Sequence, residues 1–256
     1  SYGSFVAQSY LGRYSDKLAG AVIAGSNYKK DFEVYLGSAV AALGCAFCGE
    51  KKPAKLIERL SFGAYAKKFA DGEWLSTDER SNKAYHADHY CGFTCSFRFY
   101  SDFFRGLRRL YTPAYIAGLR RDLPVLIASG AEDPVGDMGK GVKKLYAFYT
   151  SKAKMQNVTL RLFAHSRHEF LNETDGSAEK WGTVLAFLRS APAKPPCRAS
   201  NLSAKSCDGR LFPICGGFGG RHYGMVRRET VAVKSVCNEK NKDIMRAHVF
   251  VPRAAV

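Results

Sequence analysis

Two short apolar runs, each closed by glycine, constrain this chain more than any other feature. They are Leu18 to Gly25 (Leu-Ala-Gly-Ala-Val-Ile-Ala-Gly) and Asp122 to Gly130 (Asp-Leu-Pro-Val-Leu-Ile-Ala-Ser-Gly). A strand without polar alternation is covered on both faces, which is the condition of a strand inside a parallel sheet. Val158 to Phe163 adds a third strand with partial alternation. Helical patterns fall before, between and after these runs. Residues 4–15 place Phe5, Val6, Tyr10 and Leu11 at helical spacing, Met138 to Lys152 does so with Val142, Leu145, Tyr146 and Tyr149, and Ala178 to Arg189 with Trp181, Val184, Leu185 and Leu188. Strand alternating with helix predicts about three parallel strands joined by right-handed crossovers.

Residues 28–110 interrupt this order. They show helical stretches, many aromatics and several Gly or Pro breaks, but no strand alternation, and read as a helical insertion. From Ala191 the composition changes again. A Pro-rich linker leads into a segment with scattered Cys and Arg and the tract Gly216-Gly217-Phe218-Gly219-Gly220, in which Val226–Val236 is a short strand at best.

The 256 residues carry a net charge of +16, which invites a nucleic-acid reading. The charge is unevenly spread. Residues 1–190 hold 27 Lys+Arg and 19 Asp+Glu, whereas the last 66 hold 12 and 4. The body is thus only mildly basic, and no nucleic-acid contact is expected of residues 1–190. No run of about 18 apolar residues predicts a membrane span. The start has neither a charged segment nor an apolar one of the signal-peptide kind, so a cytoplasmic protein with reduced thiols is expected. Cys45, Cys48, Cys91 and Cys95 have spacings compatible with a four-thiolate zinc site, but Cys45 and Cys48 lie in an apolar stretch (39–48) where cysteine packs as a small hydrophobe. No metal and no organic cofactor is expected.

The loops that follow the strands carry the chemistry. Ser129-Gly130-Ala131-Glu132-Asp133-Pro134-Val135 resembles the S-G-x-x-D-P-V loop of the serine-aminopeptidase-type branch of the α/β-hydrolases, which includes monoacylglycerol lipases and lysophospholipases. Ser166-Arg167-His168-Glu169-Phe170-Leu171-Asn172-Glu173 resembles that branch's R-H-E-x-x-N-E loop after the last strand, and Ser1-Tyr2-Gly3-Ser4-Phe5 the latter part of G-H-S-x-G-S-F. The resemblance covers about residues 1–190 and gives the chain order Ser, Asp, His. It implies Ser1 as nucleophile, His168 as base and Asp133 as the carboxylate orienting it, with the Tyr2 backbone N–H as one oxyanion donor. It also implies hydrolysis of a lipid-like carboxylic monoester, with peripheral contact to a membrane or micellar substrate. The insertion then corresponds to a lid whose aromatics, Phe62, Trp74, Phe93 and Phe97 among them, line an acyl pocket. His165 and Asp137 are rival candidates; the motif favours His168 over His165, and Asp137 is expected to cap the following helix. Glu169 and Glu173 are expected to be structural or surface residues.

The expected fold is therefore a partial α/β-hydrolase: about three parallel strands, flanking helices, a lid over 28–110 and an irregular tail over 191–256. The resemblance also implies strands ahead of Ser1 and a second oxyanion donor from an earlier loop. Without them Ser1 is expected to fray and the strand at Leu18–Ile23 to expose an edge, so activity is expected to be impaired. Two alternatives stand beside the hydrolase reading. One is an inactive fragment or a basic interaction module. The other is an N-terminal nucleophile hydrolase, which fits a terminal serine but is built on antiparallel sandwiches rather than parallel βα units.

Overall fold

The computed structural model describes residues 2–192 and the backbone of residues 231–232. The strands are β1 (Ala21–Ala24), β2 (Val125–Gly130), β3 (Val158–Phe163) and β4 (Val231–Ala232), in the sheet order β3-β2-β1-β4 with every pairing parallel. Helix α1 (Tyr2–Tyr14) precedes β1. Between β1 and β2 come α2 (Phe32–Phe47), α3 (Lys55–Ala66), α4 (Glu79–Ala87), α5 (Phe97–Arg109) and α6 (Pro113–Ala117). Helix α7 (Lys140–Ala147) links β2 to β3, and α8 (Ser177–Ser190) follows β3.

The doubly apolar runs behave as their composition requires. Every residue of β1 and β2 is buried, and alternate residues serve two layers. Ala21, Ile23, Val125 and Ile127 pack with Phe5 and Leu11 of α1 and Val142 and Leu145 of α7. Val22, Ala24, Leu126 and Ala128 face the other way, onto Phe170, Leu171 and Val184. Strand β3 lies at the sheet margin, and its burial alternates accordingly.

Three expectations need correction. First, β1 is not an open edge: Val231 and Ala232 pair with Ala21 and Val22, and β1 is flanked on both sides. Second, only Phe5 and Leu11 of the four apolar α1 positions face the core. Val6 and Tyr10 are exposed, and Ser4, Ala7 and Gln8 point inward instead. The inward polar groups are satisfied: Gln8 Nε2 donates to Ser26 Oγ at 2.8 Å, and its Oε1 accepts from Tyr111 Oη at 2.7 Å. Third, Asp137 does not cap α7. The N-cap is Gly139 at φ +80°, with no side-chain cap, and Asp137 occupies a left-handed turn at φ +52°.

The insertion has its own small core of Ala41, Ala54, Ile57 and Tyr100. Helices α2 and α5 approach closely because Gly37 and Gly44 make room for the rings of Phe104 and Phe97. Any side chain at either glycine would meet a ring.

Candidate active site

The carboxyl ends of β1, β2 and β3 bring separate chain segments together, as in open parallel sheets generally. Asp133 lies three residues past β2 and is fully buried. Its Oδ1 accepts the Val135 N–H at 2.8 Å, and its Oδ2 accepts from Ser129 Oγ at 3.0 Å and from His168 Nδ1 at 3.0 Å. Burial pushes the Asp133 carboxyl up, but the His168 charge and these hydrogen bonds outweigh it and hold the group below the ordinary carboxylate value. The His168 imidazole, itself buried, is pushed below its ordinary value, chiefly by desolvation and against the pull of Asp133. A neutral imidazole with Nδ1–H held by a carboxylate carries its lone pair on Nε2, the arrangement of a general base.

Two glycines make this approach possible. A Cβ at Gly25, the turn residue after β1 (φ +54°), would lie 2.9 Å from His168 Cε1. A Cβ at Gly130 would overlap the carbonyl oxygens of Ser166 and Arg167, so only glycine lets the histidine loop cross the end of β2. The loop is fastened there by Glu132 N–H donating to Ser166 O at 2.9 Å.

A second fastening comes from the insertion. Glu173 is almost wholly buried. Its Oε1 accepts the N–H groups of Arg167 (2.9 Å) and Thr77 (3.1 Å), and its Oε2 accepts from Lys180 Nζ on α8 at 2.8 Å. Arg167 donates to Asp71 Oδ2 at 2.8 Å and to the Glu73 carbonyl, and its guanidinium lies 4.2 Å from the Phe69 ring centre. Glu169 N–H donates to Leu75 O at 2.7 Å. The residues around His168 are thus clamped to segment 69–77. Glu173, expected to be a structural or surface residue, is the buried centre of this clamp. The E at the end of the R-H-E-x-x-N-E pattern was its only trace in the sequence.

The remaining candidates are placed unequally. The Trp74 ring lies 5.4 Å from that of His168, and Phe62 stacks on Trp74 at 5.5 Å with Tyr65 beside both. Burial, and next the Asp133 charge, push the Tyr65 hydroxyl up to about 12. Phe97 instead packs against Gly44 between α2 and α5, and Phe93 is a half-exposed residue of the loop before α5. His165 is at the surface, 3.3 Å from Glu132. Tyr2 opens α1 with its ring against Phe99 and Phe103 of α5. Ser1 lies outside the described residues. Ser4 Oγ, on the first turn of α1, is 3.4 Å from the carbonyl of Gly25, the glycine that packs on His168. Among the described residues no cluster of three or more His, Cys, Asp or Glu side chains is arranged to hold a metal.

The serine aminopeptidase (S33) family matches residues 1–175, well over half of the chain. The chain belongs to this family. No curated protein matches it. Solved structures share the fold: a lipase in its open form (TM-score 0.62, 23% identity, 72% of this chain and 61% of that one), a thermostable carboxyl esterase from Bacillus coagulans in complex with glycerol (0.65, 17%, 73% and 62%), and a soluble variant of monoglyceride lipase from Saccharomyces cerevisiae in complex with a substrate analogue (0.55, 18%, 75% and 63%). The chain spans about three-fifths of the length of these structures. Its fold is that of the α/β-hydrolases, and among its described residues no helix is long and apolar enough to cross a membrane.

Proposed function

We propose that this hydrolase cleaves a carboxylic ester of a lipid-like monoester, of the monoacylglycerol or lysophospholipid kind, through an acyl-enzyme. Ser1 is the nucleophile, His168 the base and Asp133 its orienter, and the Tyr2 N–H contributes to the oxyanion hole. The observation that carries the reading is the buried His168–Asp133 pair, 3.0 Å apart, at the carboxyl ends of the strands. The tether between Ser4 and Gly25 supports Ser1, because it holds the first turn of α1 beside the histidine. The aromatic stack of Phe62, Tyr65 and Trp74 over the imidazole supports an apolar acyl group, and the insertion then acts as the lid. A cytoplasmic location is proposed on the unpaired thiols of Cys45, Cys48, Cys91 and Cys95.

The test is labelling with a fluorophosphonate probe, run beside Ser1→Ala and His168→Ala variants. Labelling that requires both residues is the expected result. Absence of labelling in a folded sample would favour the alternative, a hydrolase scaffold without turnover.

A further inference from the structure

The turn after β1 reaches three separate parts of the candidate site. Its residues are Gly25, Ser26 and Asn27, all buried. Gly25 packs on the His168 ring so closely that no Cβ fits, and its carbonyl accepts from Ser4 Oγ at 3.4 Å. Ser26 Oγ accepts from Gln8 Nε2 of α1 at 2.8 Å. Asn27 Nδ2 donates to the Val135 carbonyl at 2.7 Å, and the Val135 N–H in turn donates to Asp133 Oδ1 at 2.8 Å. Consecutive residues of one turn thus meet the histidine loop, the helix that follows Ser1, and the acid loop.

These contacts are closed on their far sides. Asn27 Oδ1 sits against Gly141 at the start of α7, where a Cβ would lie 1.9 Å from it. Gln8 is fully buried, and its Oε1 lies 2.7 Å from Tyr111 Oη, which is also 3.2 Å from the Asn27 carbonyl. Tyr149 Oη approaches the same Oε1 at 3.4 Å and pairs with Tyr115 Oη at 2.7 Å. A buried amide is unfavourable unless it is paired, and leucine, of the same branched shape as asparagine, would fill the place of Asn27 with nothing to satisfy. What leucine lacks is direction. A hydrogen bond fixes both distance and angle between the segments it joins, and a satisfied buried network is rigid. Reacting groups need placement within about 0.5 Å, which shape-filling contacts alone do not supply.

We propose that Ser26 and Asn27 are positioning residues: Ser26 sets α1, and with it Ser1, through Gln8, and Asn27 sets Asp133 through Val135. The Ser26 half rests on the reading of Ser1 as nucleophile; the Asn27 half is also read on His168 itself. The experiment compares the full chain with Ser26→Ala, Asn27→Leu and Asn27→Ser, and with Met155→Ala as a stability control. Met155 is buried just ahead of β3, at the end of the sheet away from the site. Circular dichroism and urea unfolding fix conditions in which each variant is folded. One readout is fluorophosphonate labelling, separated into its maximal rate constant and its half-saturating probe concentration. The other is exchange of the His168 Nδ1 proton with water, followed by NMR.

Asn27→Leu is expected to lower the maximal labelling rate about tenfold or more at an unchanged half-saturating concentration, and to speed exchange of the His168 proton about threefold or more. Asn27→Ser is too short to reach Val135 and should act in the same direction, so it decides the question if the leucine variant does not fold. Ser26→Ala should lower the labelling rate about threefold or more and leave the His168 proton as in wild type. Met155→Ala should lose stability and move neither readout. Folded Asn27 variants with wild-type labelling and exchange would overturn the proposal, since the amide would then be structural only. So would a Met155→Ala variant that moves both readouts as far, or a Ser26→Ala variant labelled as fast as wild type. A wild type that takes no label would count against the Ser1 reading, and with it the Ser26 half, while the His168 proton would still decide Asn27.

Discussion

The Glu173–Lys180 pair offers a quantitative test of the clamp around His168. Both side chains are at most 5% exposed, and the Nζ to Oε2 distance is 2.8 Å. Glu173→Gln preserves an acceptor for the Arg167 and Thr77 N–H groups but leaves the Lys180 ammonium without its counter-charge; only the Asp175 carbonyl, at 2.6 Å, remains to it. Breaking a buried pair from one side costs roughly 3–5 kcal/mol. The surviving carbonyl contact puts this case near the lower limit, about 3 kcal/mol. Lys180→Met leaves the carboxylate buried with its two N–H donors and should cost about the same. The double change removes both charges, and apolar or neutral replacement of a buried pair is often close to neutral, so the double variant should be no less stable than either single one. The coupling energy is then at least about 3 kcal/mol in magnitude. Urea unfolding followed through Trp74 and Trp181 measures all three variants. Additive costs would refute the reasoning, because they would mean that the two charges do not compensate each other in the fold.

Three further outcomes follow from the site. Gly130→Ala forces a methyl group into the Ser166 and Arg167 carbonyls, where the obstacle is backbone rather than a movable side chain, and should cost about 3 kcal/mol or more in urea unfolding; a near-neutral result would contradict the loop crossing. Stability should rise with pH. His168 is held below its ordinary 6.5 and Asp133 and Glu173 below 3.8 and 4.5, so the native state binds fewer protons than the unfolded one; the histidine contribution is complete above about 6.5 and lost as pH falls through the lower native value, and the carboxylate contributions are lost in more acid solution. A urea midpoint that is flat or falls between pH 4 and pH 8 would count against this. Trp74→Ala uncovers the imidazole, and since burial is the main cause of its depressed value, the His168 titration seen by NMR should move up toward 6.5; an unchanged titration would show that Trp74 is not what shields it.

Much of the frame was legible in the sequence because it is written locally. Doubly apolar runs closed by glycine became β1 and β2, partial alternation became the marginal strand β3, and periodic segments became α7 and α8. Asp133 and His168 were found through loops that resemble a family pattern, and the structure brings the two together across 35 positions of chain. Local pattern failed where two answers share one composition. Val6 and Tyr10 have the right spacing for a core-facing stripe on α1, but the inward face belongs to Gln8, whose amide is satisfied by Ser26 and Tyr111. The apolar run 39–48 gave no hint of which side of α2 faces water, because no polar residues mark it.

The sequence alone determined the alternation of strand and helix, the parallel sheet, the helical insertion and the identity of the acid and base candidates, since each depends on residues close together in the chain. Only the tertiary structure decided that Gly25 and Gly130 clear the path of the histidine loop, that Glu173 ties that loop to Thr77 and Lys180, and that α2 turns its apolar face outward. These are contacts between segments as much as 143 positions apart, from Gly25 to His168. What a side chain does there depends on which backbone passes beside it, and no window of neighbouring residues contains that information.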